Sequence, residues 1–312
     1  MKGLFIINPS SGKQINQAKA IQAATELLRD GIIEEATFFY TRKKDDAKNR
    51  TIQACEEKYD FIVAAGGDGT VNEVVSGLYI SGSKIPMAIM PSGTTNDFAT
   101  SVGITPTVMC LYSLIKNFNV ISSDIGRFND KDYFLNVAAG GILSDVAHSV
   151  SVESKTLLGK TAYITSGLKT IAEKGFKTTR LLFEIDGIKE YFDVYFFVIA
   201  NSKSVGGFSR ICDDAKINDG NMDLCIVKSI GTLSAMSVFT SVLDGTNKNN
   251  KHVEYRQVRD VKIYATDEDT VFHLDCDGEY AGTLPMHVEV LKGGVNLLLP
   301  TENDKTNNIV EK

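Results

Sequence analysis

Residues 61–73 read FIVAAGGDGTVNE, and the fold class can be inferred from this segment. The apolar run from Phe61 to Ala65 is typical of a short buried strand, and it stops at two glycines. A helical pattern begins at Val71. A strand that leads through glycines into a helix is the unit of a parallel α/β sheet, in which ligands bind at the carboxyl ends of the strands.

The same alternation extends over the first 125 residues. Apolar runs at 2–8, 37–40 and 87–90 predict three further strands, and residues 45–58 and 71–79 predict helices. Spacings of three and four predict an earlier helix whose buried face consists of Ile15, Ala18, Ile21, Ala24 and Leu28. Strands and helices that alternate at this length favour a parallel sheet covered on both faces.

The pattern changes near residue 125. Strand-like runs then follow each other closely, at 133–137, 181–185, 194–200, 222–227, 258–264, 271–274 and 286–291, and the clearest helical patterns lie at 160–174 and 232–243. Short strands separated by Gly, Asn and Asp are typical of an antiparallel sandwich or barrel. We therefore predict an α/β domain at 1–125, an antiparallel sandwich or barrel domain at 126–300 and a polar tail at 301–312.

The glycines at 66, 67 and 69 let the backbone approach a phosphate closely, and the helix that follows offers free N–H groups and a partial positive charge. Asp68 lies among these glycines. A carboxylate beside phosphates requires a metal ion or a substrate hydroxyl between them; otherwise it forms an Asx-type turn or a helix cap. The segment 66–70 therefore predicts a phosphate-binding loop.

Two more loops follow predicted strands of this domain. The loop at 91–99 reads PSGTTNDFA, in which Gly93 and Thr94 are placed to contact a phosphate and Asn96 or Asp97 to cap the next helix. The loop at 8–12 reads NPSSG and is expected to form a third wall. Loops at the ends of neighbouring strands converge on one edge of the sheet, so together they predict a nucleotide-binding cleft.

Composition and missing motifs exclude several classes of protein. The net charge of −6, without a long basic run, argues against nucleic-acid binding, whose affinity rests largely on neutralising phosphates. The five cysteines are scattered, which argues against a disulfide framework or a zinc site. Neither a P-loop motif nor a Rossmann glycine motif is present. Without a signal peptide or an apolar stretch of about 20 residues, the protein is expected to be cytoplasmic.

With these motifs in order, the sequence resembles the soluble diacylglycerol kinase catalytic family, including the bacterial DgkB and YegS-type lipid kinases. The resemblance covers nearly the whole chain and rests on NPSSG at 8–12, GGDGTVNE at 66–73, GTTNDFA at 93–99 and DGE at 277–279. It implies a Rossmann-like, ATP-binding α/β domain and an antiparallel β-sandwich domain for the lipid. It also implies transfer of the ATP γ-phosphate to a lipid hydroxyl in the cleft between them.

The resemblance also implies the site residues. In such kinases a carboxylate of the DGE motif is the base for the lipid hydroxyl. This implies Asp277 as the base here, with Glu279 as its neighbour or as a rival candidate for the same role. The resemblance also implies that Asp68 supports the metal–phosphate arrangement. From the residues alone, Asp-Gly is equally a hairpin turn signal. The residues implied to surround ATP are Asn8, Pro9, Ser10, Ser11, Gly12, Thr41, Gly66, Gly67, Asp68, Gly69, Thr70, Val71, Asn72, Glu73, Gly93, Thr94, Asn96 and Asp97.

A metal site is implied at 216–221, which reads KINDGN and matches a family motif. There an Asp side chain and two backbone carbonyls bind a structural Mg²⁺, which points to Lys216, Asp219 and Asn221. Ligation by oxygen alone suits Mg²⁺, although Asp219-Gly220 is otherwise a plain turn. A second Mg²⁺ is expected to accompany ATP and offset its phosphate charge.

The implied acceptor is diacylglycerol, which would give phosphatidic acid, and the protein is expected to bind the inner face of the membrane transiently and peripherally. A homodimer is also expected from the resemblance. Phosphatidylglycerol, undecaprenol and sphingoid bases remain open as acceptors. NAD kinase shares the two-glycine motif, but GTTNDFA and DGE are lipid-kinase features. A non-catalytic lipid- or nucleotide-binding paralogue is the remaining alternative, and it would be indifferent to the substitution Asp277→Asn.

Overall fold

A computed structural model of the 312-residue chain describes residues 1–12, 14–141, 144, 178–206, 211–229, 250–302 and 304. The chain divides into two compact units. The first consists of Met1–Ser123 together with Gly293–Lys312, and the second of Asp124–Lys292. The helices predicted at 160–174 and 232–243 lie outside the described residues.

The first unit is an α/β unit with a parallel sheet in the order β4-β3-β1-β2, as the sequence predicts. Its strands are β1 (Lys2–Ile7), β2 (Glu35–Tyr40), β3 (Phe61–Gly66) and β4 (Met87–Pro91). Its helices are α1 (Gln14–Arg29), α2 (Asp46–Glu56), α3 (Asp68–Ile80), α4 (Asp97–Ser101) and α5 (Val108–Asn117). Every residue of β3 and β4 is buried, as expected for strands covered on both faces.

Helix α1 buries a face that shares only Ala24 with the predicted one, and the side chain of Ile15 lies outside what the structure describes. Its buried side chains are those of Ala20, Ala23, Ala24 and Leu27. Ile21 and Leu28, which the sequence pattern placed inside, are 38% and 41% exposed, and Ala18 is also exposed. Three alanines on the buried face let the helix approach its neighbours closely, so small side chains rather than the largest ones define the packed stripe.

The second unit is antiparallel. Strands β5 (Val120–Phe128) and β15 (Met286–Leu298) each have residues in both units. The other strands of the second unit are β6 (Asp132–Phe134), β7 (Val137–Gly141), β8 (Thr179–Ile185), β9 (Ile188–Ala200), β10 (Met222–Lys228), β11 (Val253–Val258), β12 (Asp260–Ala265), β13 (His273–Cys276) and β14 (Glu279–Thr283). The main order is β14-β13-β7-β9-β8-β12-β15, and β10 pairs with β9 and β11.

Two apolar clusters form the core of this unit. Phe183 and Phe197 belong to one cluster, whereas Phe196 and Val198 belong to the other. Because successive side chains of β9 point to opposite faces, its buried half contributes to both clusters. This arrangement accounts for the continuous apolar run at 194–200.

Two predicted strands are interrupted. The run 133–137 is divided between β6 and β7, and the run 258–264 lies in β12 except for Val258, which ends β11, and Arg259 between the two strands. At the second break the N–H groups of Arg259 and Asp260 donate to Asp186 Oδ1 (3.0 and 2.9 Å). At the first break the backbone N–H groups of residues 135–137 donate to the Asp277 carboxylate in the same way. At both breaks a side-chain carboxylate therefore accepts the backbone N–H groups. Strands β5, β11 and β14 and helix α5 were not predicted, apart from the last residue of β11.

The units differ from the predicted continuous segments at the C-terminal end of β15. Leu297 of this strand pairs in parallel with Met87 of β4, so residues from Gly293 onward group with the first unit. A 13-residue strand is long enough for its two ends to belong to different units. Among the described residues, no helix has both the length and the apolar character that a membrane-spanning segment requires.

Candidate functional site

The loop after β1 is organised by Asn8. Its backbone N–H extends the sheet by donating to Ala65 O (2.9 Å), and its side-chain Nδ2 donates to Thr70 Oγ1 (2.9 Å). Its Oδ1 accepts from the N–H and the hydroxyl of Ser10 (3.0 and 2.8 Å). Asn8 therefore connects the NPSSG loop to the first turn of α3.

Ser11 supplies a polar group that the protein itself does not satisfy. Its Oγ is shielded from solvent and has no hydrogen-bond partner among the described residues. A buried hydroxyl in this state costs about 1–3 kcal/mol, and such groups call for an explanation such as an absent ligand or ion. A phosphate oxygen is an acceptor that this hydroxyl could serve.

Glycines bring three loops together. Gly12 has φ +60°, and a Cβ built there would overlap the carbonyl oxygen of Ser92 in the loop after β4. A Cβ at Gly93 would lie 2.7 Å from the Cα of Gly67, in the loop after β3. The three predicted phosphate loops therefore meet backbone to backbone, at the carboxyl ends of β1, β3 and β4.

The first turn of α3 faces this junction. Its N-cap residue is Gly67, and no side-chain cap bonds the N-terminal N–H groups within the described part of the chain. Asp68 Oδ2 instead accepts from Asn96 N (3.1 Å) and Thr95 Oγ1 (3.2 Å) of the loop after β4. The carboxylate thus joins two loops, and the helix start keeps the character of an anion-binding site.

The predicted cap at Asn96 or Asp97 does not form through a side chain. Asn96 occupies the N-cap position of α4 with φ 48°, but its amide closes on its own loop. Gly93 N donates to Asn96 Oδ1 (2.9 Å), and Asn96 Nδ2 donates to Gly93 O (2.8 Å). Asp97 is buried, whereas Thr94 is exposed at the tip of the loop. The tight loop, rather than the five-residue helix, is what Asn96 stabilises.

Three of the predicted ATP-binding residues lie outside this junction. The carboxylate of Glu73 accepts from Asp45 N and Ala47 N (3.0 Å each), so it holds the chain at the start of α2. Thr41 is buried at the end of β2, where its N–H donates to Ile7 O (2.9 Å). Val71 is buried in the core. These residues shape the surroundings of the junction.

In the second unit, the DGE motif forms a hairpin. β13 ends at Cys276 and β14 begins at Glu279, with Cys276 opposite Glu279 in the ladder. The two turn residues, Asp277 and Gly278, have φ values of 49° and 84°. Two successive positive φ values are the signature of a type I′ turn, so the interpretation of Asp-Gly as a turn is confirmed.

The carboxylate of Asp277 is already occupied by the backbone. Its Oδ2 accepts from Leu135 N (2.9 Å), and its Oδ1 accepts from Asn136 N (3.0 Å) and Val137 N (2.8 Å). Burial raises the pKa of Asp277 to about 6, although these donors favour the ionised form. Glu279 is exposed. The Asp277 carboxylate is therefore bound to the backbone, whereas Glu279 lies at the surface.

The segment 216–221 is rich in oxygen atoms. Asp219 Oδ1 accepts from Asn221 N (2.9 Å), and burial, reinforced by Asp219 and Asp214, raises the pKa of nearby Asp223 to about 6. These negative groups suit a hard cation. No group of three or more His, Cys, Asp or Glu side chains that could hold a metal ion occurs in the described ranges, so the donor set fits Mg²⁺ only with backbone carbonyls and water.

Sequence reasoning missed a set of buried polar residues in this unit, namely Asp124, Asn136, Asn201, Ser202 and Ser204. They hydrogen-bond to each other or to the segments beside the DGE turn and residues 216–221. The available signal was the position of the asparagines: Asn136 lies within the apolar run 133–137, and Asn201 directly follows the run 194–200. A polar side chain buried at such a position needs hydrogen-bond partners.

Comparisons with known proteins agree with this architecture. Residues 2–128 match the model of the diacylglycerol kinase catalytic domain, and residues 136–299 match that of the YegS C-terminal NAD kinase β-sandwich-like domain. A Bacillus subtilis protein named diacylglycerol kinase is 33% identical over 300 residues, covering 96% of each chain. A Staphylococcus saprophyticus protein with the same name is 29% identical over 308 residues, covering 99% of this chain and 98% of the relative.

Solved structures support the same fold. One from Bacillus anthracis strain Sterne superimposes with a TM-score of 0.80 at 24% identity, covering 96% of this chain and 95% of the other. Another from that strain, titled as a diacylglycerol kinase, gives a TM-score of 0.72 at 20% identity, with 96% and 97% coverage. At these identities the likeness shows the fold alone. The predicted pairing of an α/β domain with a β-sandwich-like domain is confirmed.

Proposed function

The chain belongs to the diacylglycerol kinase family, and from this premise we propose that it transfers the γ-phosphate of ATP to the hydroxyl of diacylglycerol. The product would be phosphatidic acid. The relatives over whose whole length the chain aligns carry the name of this activity. Membership in this family makes the protein a lipid kinase with ATP as its phosphate donor.

The observation that carries the proposal is the junction of the three loops in the first unit. Gly12, Gly67 and Gly93 leave no room for side chains there, Ser11 offers an unused hydroxyl, and the α3 N-terminus offers N–H groups. A free hydroxyl, helix N-terminal N–H groups and glycines that admit a close approach of the backbone suit the triphosphate of ATP. Asp68 would act by fixing the loop at 95–96 against α3, beside the metal ion that accompanies ATP.

We assign the proton transfer to Glu279 and the positioning of the turn to Asp277. The acceptor hydroxyl must lose its proton as its oxygen attacks the γ-phosphorus and ADP departs, and a carboxylate within reach can take that proton. Asp277 uses both oxygens to bind backbone N–H groups, whereas Glu279 follows it by two residues and is exposed. The rigid turn would then present the Glu279 carboxylate to the lipid.

Magnesium would have two places in this scheme. One ion would accompany ATP and neutralise phosphate charge as transfer proceeds. A second, structural ion would be held at Lys216, Asp219 and Asn221 through one carboxylate and backbone carbonyls. The acidic surroundings of Asp219, including Asp223, support a cation at this loop.

The proposed substrate resides in a bilayer, so the protein would act as a cytoplasmic enzyme that binds the inner face of the membrane peripherally. The homodimer stays a prediction. Size-exclusion chromatography with light scattering measures the dimer, and flotation with vesicles of phosphatidylglycerol containing diacylglycerol measures membrane binding. A monomer, or protein that stays unbound to the vesicles, would contradict the respective prediction.

The test is transfer of phosphate from radiolabelled ATP to lipids in mixed micelles with Mg²⁺. The panel contains diacylglycerol, phosphatidylglycerol, undecaprenol and a sphingoid base, with NAD⁺ as a soluble acceptor. Label in phosphatidic acid supports the proposal. Label in another lipid would keep the mechanism and change the substrate, label in NAD⁺ alone would make the protein an NAD kinase, and no transfer would favour a binding protein.

Two variants test the assignment of the carboxylates. Because Glu279 is exposed, Glu279→Gln should leave the melting temperature unchanged and lower kcat by about 100-fold or more, as expected for loss of a general base. Asp277→Asn should lower both kcat and the melting temperature, since an amide NH₂ would face a backbone N–H. Wild-type kcat in Glu279→Gln would refute the assignment to Glu279.

A further inference from the structure

Asn201 lies at the centre of a buried polar network in the second unit. It is completely buried, and its Nδ2 donates to two backbone carbonyls, Asp124 O (2.7 Å) and Leu135 O (2.9 Å). Its own N–H donates to Asn136 O (2.8 Å). One asparagine thus ties together two segments that are not neighbours in the sequence.

On one side, the network supports the DGE turn. The N–H groups of Leu135, Asn136 and Val137 are the three that bind the Asp277 carboxylate, and Asp277 N donates back to Val137 O (2.9 Å). Leu135 and Asn136 are the two residues whose carbonyls Asn201 holds. The orientation of these peptide groups, and with it the position of the turn, therefore depends on Asn201.

The side chain of Asn136 is fixed in the same network. Ser202 Oγ donates to Asn136 Oδ1 (2.5 Å), and Asn136 Nδ2 donates to Ser204 O (2.9 Å). All three residues are at most 5% exposed, so these bonds lie in a poorly solvated interior where they are strong. The peptide that carries a donor to Asp277 is consequently held on both its backbone and its side chain.

On the other side, the network reaches the segment 216–221. Asp124, whose carbonyl Asn201 binds, donates its N–H to Ile217 O (2.6 Å), and its Oδ2 accepts from Gly220 N (2.6 Å). The path from the DGE turn to this segment therefore consists of Asp277, the backbone at 135–137, Asn201 and Asp124. Each step is a direct hydrogen bond within one unit or the covalent backbone itself.

The requirement for asparagine at position 201 follows from its donors. Two N–H groups on one planar amide can serve two carbonyls at once, which serine or aspartate in its place cannot do. Asn201 Oδ1, by contrast, has no hydrogen-bond partner within the described residues, which costs about 1–3 kcal/mol. A residue selected only for stability would not carry this cost, because at a buried position an apolar side chain, or a polar one with all its hydrogen bonds made, gives a more stable protein.

We propose that Asn201 is a positioning residue for phosphoryl transfer, which couples the segment 216–221 to the turn that carries Glu279. This inference rests on the proposed kinase function. Asn201 touches no reacting atom; it acts by keeping the peptides at 135–137 in the orientation that Asp277 requires. Loss of its two donors would shift the turn, and a shift of about 1 Å in a reacting group costs about 100-fold in rate.

The experiment is a double-mutant cycle in the kinase assay. Asn201→Ala should lower kcat by about 100-fold while KM for ATP stays within about twofold, since the loops that would bind ATP belong to the first unit. If Asn201 works through Glu279, the double variant Asn201→Ala/Glu279→Gln should be no slower than Glu279→Gln alone. Thr51→Val, which removes another buried side chain to backbone hydrogen bond, is the matched control and should keep wild-type kcat.

Each outcome is decisive. Additive losses in the double variant, an unchanged kcat in Asn201→Ala, or a wild-type kcat in Glu279→Gln would overturn the proposal. If circular dichroism shows that Asn201→Ala does not fold, Ser202→Ala is used instead, because it removes a single hydrogen bond of the network. Ser202→Ala should lower kcat by about tenfold at unchanged KM for ATP. An unchanged kcat in this variant would overturn the proposal. An inactive wild type would instead refute the proposed function.

Discussion

Substitution of Gly12 by alanine probes the junction of the three loops most directly. At φ +60° an alanine costs about 1 kcal/mol in backbone conformation. Its Cβ would also lie 2.9 Å from the carbonyl carbon of Ser92, where the optimum carbon–carbon separation is about 3.5–4.0 Å, and it would overlap the carbonyl oxygen. The loops after β1 and β4 must therefore separate by about 1 Å.

Gly31 offers a matched control, because it has φ +69° and a Cβ there would meet no atom within 4 Å. Gly31→Ala shares the conformational cost and lacks the overlap. Gly31→Ala should therefore lose about 1 kcal/mol of stability, or about 2 °C in melting temperature, and Gly12→Ala should lose more, because the overlap adds to the same conformational cost. Only Gly12→Ala should lose kcat/KM for ATP, by about 100-fold, as misplacement by about 1 Å predicts.

The assay is steady-state transfer from ATP to diacylglycerol at saturating lipid, with melting curves of both variants. Titration with ATP separates KM from kcat. If kcat/KM for ATP in Gly12→Ala lies within about twofold of that in Gly31→Ala, the contact between Gly12 and Ser92 has no part in ATP binding. The junction of the three loops would then not be the ATP site.

Three further predictions concern other parts of the chain. The pKa of Asp277 is about 6 in the folded protein and about 3.9 in an unfolded chain. Between these pH values the folded protein keeps a proton that the unfolded chain loses. The carboxyl group therefore stabilises the fold fully below pH about 4, and this contribution is lost as the pH rises through about 6. Denaturant titrations should show the unfolding free energy of the wild type falling relative to Asp277→Asn over this window, and a constant difference would contradict it. Glu73→Gln should lower stability by about 1–2 kcal/mol, because one backbone N–H at the start of α2 loses its acceptor. It should also raise KM for ATP and leave kcat unchanged. An unchanged KM would show that the start of α2 does not affect ATP binding. Thr107→Ala removes the N-cap bond to Cys110 N (3.1 Å) and should cost about 1 kcal/mol by thermal denaturation, leaving kinase kinetics unaffected; an unchanged melting temperature would show that this cap contributes nothing.

Much of the fold followed from local patterns. Strands β1, β3 and β4 were predicted to within a residue or so, because continuous apolar runs that end at glycine, proline or asparagine have few other interpretations. Helix α1 was predicted, but its buried face was not, since alanine and isoleucine both count as apolar in a periodic pattern. Their size matters only when a neighbouring helix or sheet limits the space.

The classes of structure and the candidate loops follow from local features of the sequence. Glycines at 12, 67 and 93 and the Asp-Gly turn at 277–278 are local requirements, because each depends on backbone dihedrals or close approach that other residues resist. The positions of the three glycines shortly after apolar runs are enough to predict phosphate binding at the ends of the strands.

Which backbone groups each polar side chain binds is visible only in the tertiary structure. Whether Asp277 or Glu279 can serve a substrate depends on the N–H groups of residues 135–137, which lie about 140 positions away in the chain. The roles of Glu73, Asn96 and Asn201 depend likewise on which backbone groups the fold brings beside them. A hydrogen bond depends on distance in space, and sequence spacing does not contain that distance.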